Sequence, residues 1–176
     1  MRSQSSDNDP DAVVYQRANT SQFVEFAVDH RRYAFGIEQI REIVILSDVT
    51  PTPQVANCVD GVSNLRGAII PIINLRALFG LPRKEADDET RTVVVHVNGR
   101  TMGCTVDSVN QVLRIANDAI QPAPETVAVE SGKSITGFAN VEDRLVIILD
   151  VEQLLDVEQL QHVKHVTAPG NSINGN

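Results

Sequence analysis

The chain has 176 residues, of which 42% are apolar, and its formal net charge is −8 at pH 7. This length is enough for one ordinary domain or two small ones, and the apolar fraction supports a real core, which excludes global disorder. The negative charge repels phosphate backbones and anionic lipid, and no run approaches the ~18 consecutive apolar residues of a membrane span. We therefore expect neither a nucleic-acid partner nor insertion into a membrane.

The first half of the chain has the pattern of short strands. Residues 1–20 are rich in Ser, Asn and Asp, which predicts a flexible N-terminal arm without the apolar segment of a secretory signal. Apolar residues then alternate as in half-buried strands, with one helical turn before residue 43. Strands are predicted at 23–28, 33–37, 43–46, 60–65 and 68–74. The prolines Pro51 and Pro53 require an extended backbone between the third and fourth strands.

A charged connector at 83–90 is the best candidate boundary between the two halves. Beyond it, strands are predicted at 92–97, 100–106, 110–115, 135–141 and 145–149. Asn98 and Gly99 separate the first two, and this pair predicts a type I′ hairpin turn because both residues tolerate positive φ. Asp150 is placed to cap a C-terminal helix at 151–166, and 169–176 is expected to be a disordered tail.

The two halves repeat. A shift of 76 residues lays 61–75 on 137–151, and the pairs Gly61/Gly137, Asn64/Asn140 and Ile72/Ile148 are then identical. A shift of 69 residues pairs Ile37, Ile40 and Ile43 with Val106, Val109 and Val112. Two matches in the same order predict two similar barrels side by side, at about 21–82 and 91–150. Whether the barrels exchange strands is left open.

No constellation of catalytic residues is visible. Gly132-Lys133-Ser134 resembles the end of a phosphate loop, but the glycine required five positions earlier is Val127. His162 and His165 share a helix face with Glu158, an arrangement that is more often a solvated face than a metal site. Cys58 and Cys104 match no metal or redox spacing. We expect a protein that is not an enzyme and that has no cofactor and no metal.

Most of the stretch 61–81 is predicted to be buried scaffold, and Arg66 is the exception. It lies with Gly67 at a turn between two hydrophobic strands, where a rigid scaffold would fix its position for a partner. Under the 76-residue shift, Arg66-Gly67 falls on Glu142-Asp143, which carries the opposite charge. The flanking apolar residues are needed by any copy of the barrel, whereas Arg66 belongs to one copy. We therefore predict that Arg66 contacts a partner.

Several short motifs, in this order and spacing, resemble the CheW family of bacterial chemotaxis coupling proteins. They include Tyr33-Ala-Phe-Gly-Ile37, Ile40-Arg-Glu-Ile43, Asn64-Leu-Arg-Gly67, Pro71-Ile-Ile-Asn-Leu75, Val106-Asp107-Ser-Val109 and Leu149-Asp150. The resemblance implies a mainly β domain at 21–168, with two five-stranded SH3-like or OB-like barrels, short helices and a hydrophobic groove between the barrels. It also implies a cytoplasmic adaptor, recruited to receptor arrays, that links the hairpin tip of methyl-accepting chemoreceptors to the CheA histidine kinase.

The resemblance carries two sets of binding residues onto this chain. For the receptor they are Ile40, Glu42, Val62, Leu65, Arg66 and Val109. We hypothesise an ion pair between Glu42 and Arg66, and for Leu65 a plain core role is the stronger alternative. For the kinase they are Val49, Pro51, Pro53 and Val55, in the loop at 47–58. The other interpretations are a double barrel that binds a small ligand in its groove and a hydrolase whose site the sequence does not reveal.

Overall fold

The computed structural model describes residues 19–156. The strands are β1 Thr20–Val28, β2 Arg31–Gly36, β3 Ile40–Val44, β4 Val59–Leu65, β5 Ala68–Asn74, β6 Arg91–Val97, β7 Arg100–Val106, β8 Ser108–Ala116, β9 Gln121–Pro122, β10 Ile135–Val141 and β11 Arg144–Leu149. The helices are α1 Leu75–Leu78, α2 Glu125–Glu130 and α3 Val151–Leu154, with 3-10 turns at Ile37–Gln39 and Asn117–Ala119. The mainly β class predicted from the sequence is confirmed.

The strands form two sheets. Each sheet is closed into a barrel by the segment that follows one of its edge strands and pairs with the strand at or near the other edge. The order β3-β6-β7-β5-β4 makes the inserted barrel, and β8-β1-β2-β11-β10-β9 makes the flanking barrel. The chain leaving β3 returns at Thr50, which pairs with Val62 on the far edge strand β4. The chain leaving β8 returns as β9, which pairs with β10. This closure protects the sheet edges that would otherwise remain open.

The predicted division of the chain at 82 and 91 does not describe these barrels. The inserted barrel consists of β3–β7, and the flanking barrel is built from β1 and β2 together with β8–β11. The cause is the pairing of β3, which leaves its own hairpin and lies antiparallel to β6, with Ile40 opposite Val95. Equivalently, β8 pairs with β1, with Val109 opposite Phe26. The strands are therefore exchanged, which the sequence left open.

The repeat is structural. Gly61 pairs with Ile72 beside a bulge in β4, and Gly137 pairs with Ile148 beside a bulge in β10, in agreement with the 76-residue shift. In the parallel pairs Ile72 lies opposite Gly103 and Ile148 opposite Ala34, which agrees with the 69-residue shift. The caps repeat as well: the N–H of Ala77 donates to the Asn74 side chain, and that of Glu152 donates to the Asp150 side chain.

Three apolar clusters hold the molecule together. The central core lies between the barrels and takes residues from both sheets, including Phe26, Phe35, Ile73, Val95 and Cys104. Each barrel also has its own interior, around Ala34 and Ile148 in the flanking barrel and around Ile72 and Val94 in the inserted barrel. Neighbours along β2 and β6 point alternately into a barrel and into the central core, so these strands are buried on both faces.

Most predicted strand positions agree with the structure, but two ends differ. The strand predicted at 43–46 starts at Ile40, directly after the 3-10 turn. The helix predicted at 151–166 is helical only at Val151–Leu154 and ends at Leu155, while 157–166 lies outside the described residues. The predicted tail, the histidine-bearing face and positions 1–18 of the predicted arm also lie outside them, and Thr20 already belongs to β1. Across residues 19–156, no helix has the length and apolar character to cross a membrane.

Candidate partner-binding site

Arg66 is held at the tip of a two-residue turn. Leu65 pairs with Ala68, so β4 and β5 are joined by Arg66 and Gly67, whose φ angles are 54° and 89°. The N–H of Gly67 donates to the side chain of Asn64 at 2.9 Å, which fixes the turn from within. The Arg66 side chain is 74% exposed. A rigid hairpin therefore presents a guanidinium to solvent.

The ion pair hypothesised from the sequence is present. Arg66 donates through Nη2 to Oε1 of Glu42 at 2.7 Å and through Nε to Oε2 at 3.1 Å, which is bidentate geometry. Hydrogen bonding to Arg66 lowers the pKa of Glu42, and the same bond raises the pKa of Arg66. Glu42 lies on the edge strand β3, so the pair joins this strand to the turn that follows β4, the strand at the other edge of the same sheet. The pair orients the guanidinium without hiding it.

The four apolar candidates for receptor binding do not form one wall. Ile40 on β3 and Val109 on β8 are half-buried against the central core, at equivalent positions of the repeat. Leu65 packs against the interior of the inserted barrel, as its alternative core role requires. Val62 is half-buried on the opposite face of β4 from Leu65, because it is an odd number of positions away along the strand. Ile40 and Val109 therefore both pack against the central core, whereas Leu65 packs against the barrel interior and Val62 lies on the other face of β4.

The kinase-binding candidates lie on the segment that closes the inserted barrel. Thr50 and Val62 exchange backbone hydrogen bonds of 2.8 and 2.9 Å, which fix the segment at one point. Val49 packs inward against the barrel interior. Pro51 and Pro53 are exposed, and Val55 is 38% exposed. Three of the four candidates are thus accessible, and the prolines stiffen the backbone that carries them.

Two exposed apolar residues beside this site were not selected from the sequence. Ile43 on β3 and Val112 on β8 are 39% and 56% exposed. They follow Ile40 and Val109 by three positions on the edge strands of the two barrels. The 69-residue shift pairs them with each other, so the repeat contained the signal. Ile43 and Val112, on the equivalent edge strands β3 and β8, therefore add exposed apolar surface to the candidate site.

A second charged cluster, also missed, joins the barrels. Arg76 on α1 donates to Asp107 through Nε at 2.9 Å and Nη2 at 2.8 Å, and its Nη2 lies 3.6 Å from Asp29. The N–H of Asp29 donates to the same Asp107 carboxylate at 2.8 Å. Burial raises the pKa of Asp107, but the hydrogen bonds from Arg76 and Asp29 together bring that pKa below its ordinary value. This cluster, the Arg76 clamp, links α1 to the β1–β2 turn and to the start of β8.

The site offers binding chemistry: a directed cation, its carboxylate partner and half-buried aliphatic side chains. Among residues 19–156, no three His, Cys, Asp or Glu side chains are grouped so that they could hold a metal ion. Both cysteines are buried in the central core, where burial raises the pKa of the Cys104 thiol to about 12. A thiol with so high a pKa is a poor nucleophile at neutral pH.

Exchanged barrels with a directed cation on a rigid turn define a class of protein-binding adaptor domain. A family model for the CheW-like domain matches residues 22–159. The chemotaxis protein CheW of Helicobacter pylori is 38% identical over 134 residues, or 76% of this chain and 81% of that protein. CheW of Bacillus subtilis is 34% identical over 138 residues, or 78% of this chain and 88% of that protein.

A solved structure agrees with these sequence relatives. The crystal structure of the scaffolding protein TtCheW from Thermoanaerobacter tengcongensis matches with a TM-score of 0.72 and 28% identity, over 78% of this chain and 93% of that one. The chain belongs to the CheW-like family and is a coupling adaptor of chemotaxis-type signalling. Its relatives are scaffolds, which points away from an enzyme and does not favour a small-ligand module.

Proposed function

We propose that this protein is a non-enzymatic adaptor that binds the cytoplasmic hairpin tip of a chemoreceptor and the regulatory domain of a CheA-type histidine kinase. The observation that carries the proposal is the bidentate Glu42–Arg66 pair, which directs an exposed guanidinium from one barrel only. The equivalent turn of the other barrel carries Glu142 and Asp143. A residue needed only for folding would be expected in both copies.

The receptor surface combines this cation with the apolar residues near it. A helical hairpin docks by placing apolar side chains against a groove, and charged groups set its register. Ile40 and Val109 supply half-buried apolar contacts from the two barrels, and the exposed Ile43 and Val112 extend them. Arg66 supplies the charge that fixes the register, and Glu42 holds its guanidinium in place before binding. Such preorganisation lowers the entropy lost on association.

The kinase surface is the stiff segment that includes Pro51, Pro53 and Val55. The Thr50–Val62 bridge and the two prolines limit its conformations, so the segment loses little conformational entropy on binding. Val49 anchors the segment from inside the barrel. A reversible adaptor suits a Kd of roughly micromolar, about −8 kcal/mol for each contact. Repetition of the contact in an array at the receptor tips raises the effective strength.

A charge swap tests the receptor contact. Arg66→Glu and Glu42→Arg each break the pair, and the double variant restores it with reversed polarity. We expect each single variant to bind a receptor cytoplasmic fragment at least ~10-fold more weakly, because a directed charge in a hot spot is lost. The double variant should recover its melting temperature but not its affinity, since position 66 then presents a carboxylate. Calorimetry with the receptor fragment, and kinase activation in its presence, give the readouts.

The matched control is Glu142→Arg, at the equivalent turn of the flanking barrel, which should bind as the parent does. Recovery of receptor affinity in the double variant would show that the pair acts only within the fold. Equal weakening by Glu142→Arg would show a general effect of charge on these turns. Either result contradicts the assigned role of Arg66.

A further inference from the structure

An apolar groove lies on the flanking barrel beside the end of α1. Its volume is about 360 Å³, and its floor is formed by Tyr33, Phe79, Ile147, Leu149 and Leu154. The rings of Tyr33 and Phe79 pack with their centroids 5.0 Å apart, which makes one wall rigid. The space is enough for two or three large side chains, since small-molecule sites begin at roughly 300 Å³. The groove contains none of the residues assigned above to the receptor or the kinase.

The rim of this groove is basic although the chain as a whole is acidic. Arg31 lines the groove and also an adjoining depression of about 470 Å³, which is lined as well by His30, Arg32 and Arg144. Leu145, 60% exposed, continues the apolar floor there. Arg32 is engaged by the buried Glu25 at 3.6 Å. Arg31 and Arg144 enter no ion pair within residues 19–156, and both are exposed.

Carboxylates near the rim leave these two arginines accessible. Asp29 lies 3.6 Å from Arg76 and 3.9 Å from His30, so its carboxylate engages these two residues and neither Arg31 nor Arg144. Glu142 and Asp143 form the tip of the β10–β11 hairpin, with φ angles of 51° and 63°, and they line neither the groove nor the depression. The basic rim therefore faces any partner that enters the groove, while the acidic tip lies beyond it.

The backbone under the groove cannot accept an added strand. β2 is already paired with β1 and β11, and β11 is paired with β2 and β10. Strand addition requires an unpaired edge, so the occupant must dock through side chains. An amphipathic helix satisfies this requirement because its own backbone hydrogen bonds are internal.

The groove exists in one copy of the repeat. At the equivalent place on the inserted barrel, Arg100, Met102 and Leu155 line a depression of only about 190 Å³. The counterpart of Ser134, which lines the groove, is Cys58, which is fully buried in the central core. The chain between β3 and β4 thus fills in one barrel the space that stays open in the other. A groove of this size is therefore not a requirement of the fold, since the other copy folds with about half the volume at this place.

We propose that this basic groove is a third interaction surface, which binds an acidic amphipathic helix of a partner protein. Its apolar side chains enter the floor between Tyr33, Phe79 and Ile147, and its carboxylates pair with Arg31 and Arg144. The proposal is independent of the receptor and kinase assignments, because the groove shares no residue with them.

Fluorescence anisotropy with labelled synthetic helices tests the proposal on the full chain. One peptide of about 14 residues carries leucines at helical i, i+3, i+4 and i+7 spacing flanked by glutamates, and its match carries lysines instead. We expect the glutamate peptide to bind with a Kd of roughly 1–100 μM and at least ~10-fold more tightly than the lysine peptide. Raising NaCl should weaken it, because exposed ion pairs are screened.

Variants locate the binding. Arg31→Glu/Arg144→Glu should reverse the preference between the two peptides, whereas the control Arg100→Glu, at the equivalent of Arg31, should leave it unchanged. Arg144→Glu alone, at an exposed turn-flanking position, serves if the double variant does not fold. The proposal is overturned by equal binding of both peptides, by no binding at about 1 mM peptide, or by an unchanged preference in the rim variants.

Discussion

Arg66 combines a rare backbone conformation with an exposed charge. Its φ of 54° is in the left-handed region, which residues with a Cβ adopt at an energetic cost. Glycine is the usual residue for such a position. Glu142 adopts nearly the same φ of 51° in the other barrel, so this backbone conformation does not itself require arginine. What distinguishes Arg66 is its bidentate bond to Glu42, which directs the guanidinium.

Arg66→Gly separates the backbone role of this position from its side-chain role. Glycine accepts the positive φ without strain, so we expect a melting temperature within about 3 °C of the parent. Receptor-fragment affinity should fall at least ~10-fold, because the guanidinium is gone. Differential scanning calorimetry and titration calorimetry measure the two effects.

Glu142→Gly is the control, since Glu142 has nearly the same φ of 51° in the other barrel. It should give the same small change in melting temperature and no change in affinity. A large loss of stability in Arg66→Gly with unchanged affinity per folded molecule would make Arg66 a structural residue.

At the scale of single residues, the predictions succeeded where a family motif marked both partners of a contact. The Glu42–Arg66 pair was anticipated because family motifs place both residues in recognisable segments. The Arg76 clamp was not, because Arg76 lies outside the motifs, and Asp107, which is in one of them, is 31 residues away along the chain. The basic rim was missed for the same reason: Arg31 and Arg144 meet only through the parallel pairing of β2 with β11. Charge clusters of this kind follow from strand partnership, which alternation does not encode.

Gly61 controls the closure of the inserted barrel. Its φ is 144°, and a Cβ there would contact the Thr50 carbonyl oxygen and lie 2.6 Å from the carbonyl carbon. Thr50 is the residue that closes the barrel by pairing with Val62. The close approach of two backbones therefore requires glycine, and the repeat places Gly137 at the same point beside Gln121.

Gly61→Ala should destabilise the protein by about 3 kcal/mol or more, because the added methyl group displaces the Thr50–Pro51 backbone. Kinase binding should weaken with it, since the candidate kinase segment moves. Gly67→Ala is the matched control: it also has positive φ, but a Cβ there meets nothing within 4 Å, so its cost should be only about 1 kcal/mol. Urea denaturation and amide exchange at Thr50 and Val62 measure the effects. Equal cost in the two variants would contradict the close-approach explanation.

Strands and turns were predictable because each has a local signature. The Asn98-Gly99 turn forms with both φ angles positive, at 51° and 77°. The C-terminal helix begins at Val151 as predicted, and its described part ends at Leu154, where Leu154 and Leu155 are buried in the central core. The partners of the strands were not predictable, since β3 and β8 carry the same apolar pattern and either barrel could accept them. Only packing of the complete chain selects the exchanged arrangement.

At the scale of the whole molecule, the Arg76 clamp fixes how the barrels meet. Arg76 follows the inserted barrel's β5, Asp29 lies in the β1–β2 turn of the flanking barrel, and Asp107 joins β7 to β8 with its N–H donating to Ala27 of β1. The repeat offers no second clamp, because the counterparts of Arg76 and Asp107 are Glu152 and Glu38, which have the same charge. Since Ile40 and Val109 lie on different barrels, we expect the clamp also to set their spacing in the proposed receptor surface.

Arg76→Gln should cost about 1–3 kcal/mol at neutral pH, the range for hydrogen bonds to a charged group. The loss should depend on pH in one direction. The folded-state pKa of Asp107 is lowered from its ordinary 3.8, so its stabilisation is fully present above about pH 4 and is lost as pH falls through the folded value. Free energies of unfolding by urea should therefore fall more steeply below about pH 4 in the parent than in Arg76→Gln.

Glu152→Gln provides the control at the equivalent position. It should leave the fall in the free energy of unfolding below about pH 4 as it is in the parent. A double-mutant cycle with Asp107→Asn isolates the pair, because each single change removes the same contact. A coupling energy near zero would contradict the clamp. So would a free energy of unfolding that falls equally steeply below about pH 4 in the parent and in Arg76→Gln. If the coupling is present, weaker receptor binding in Arg76→Gln would follow from altered barrel spacing, since Arg76 is only 17% exposed and its guanidinium is occupied by Asp107.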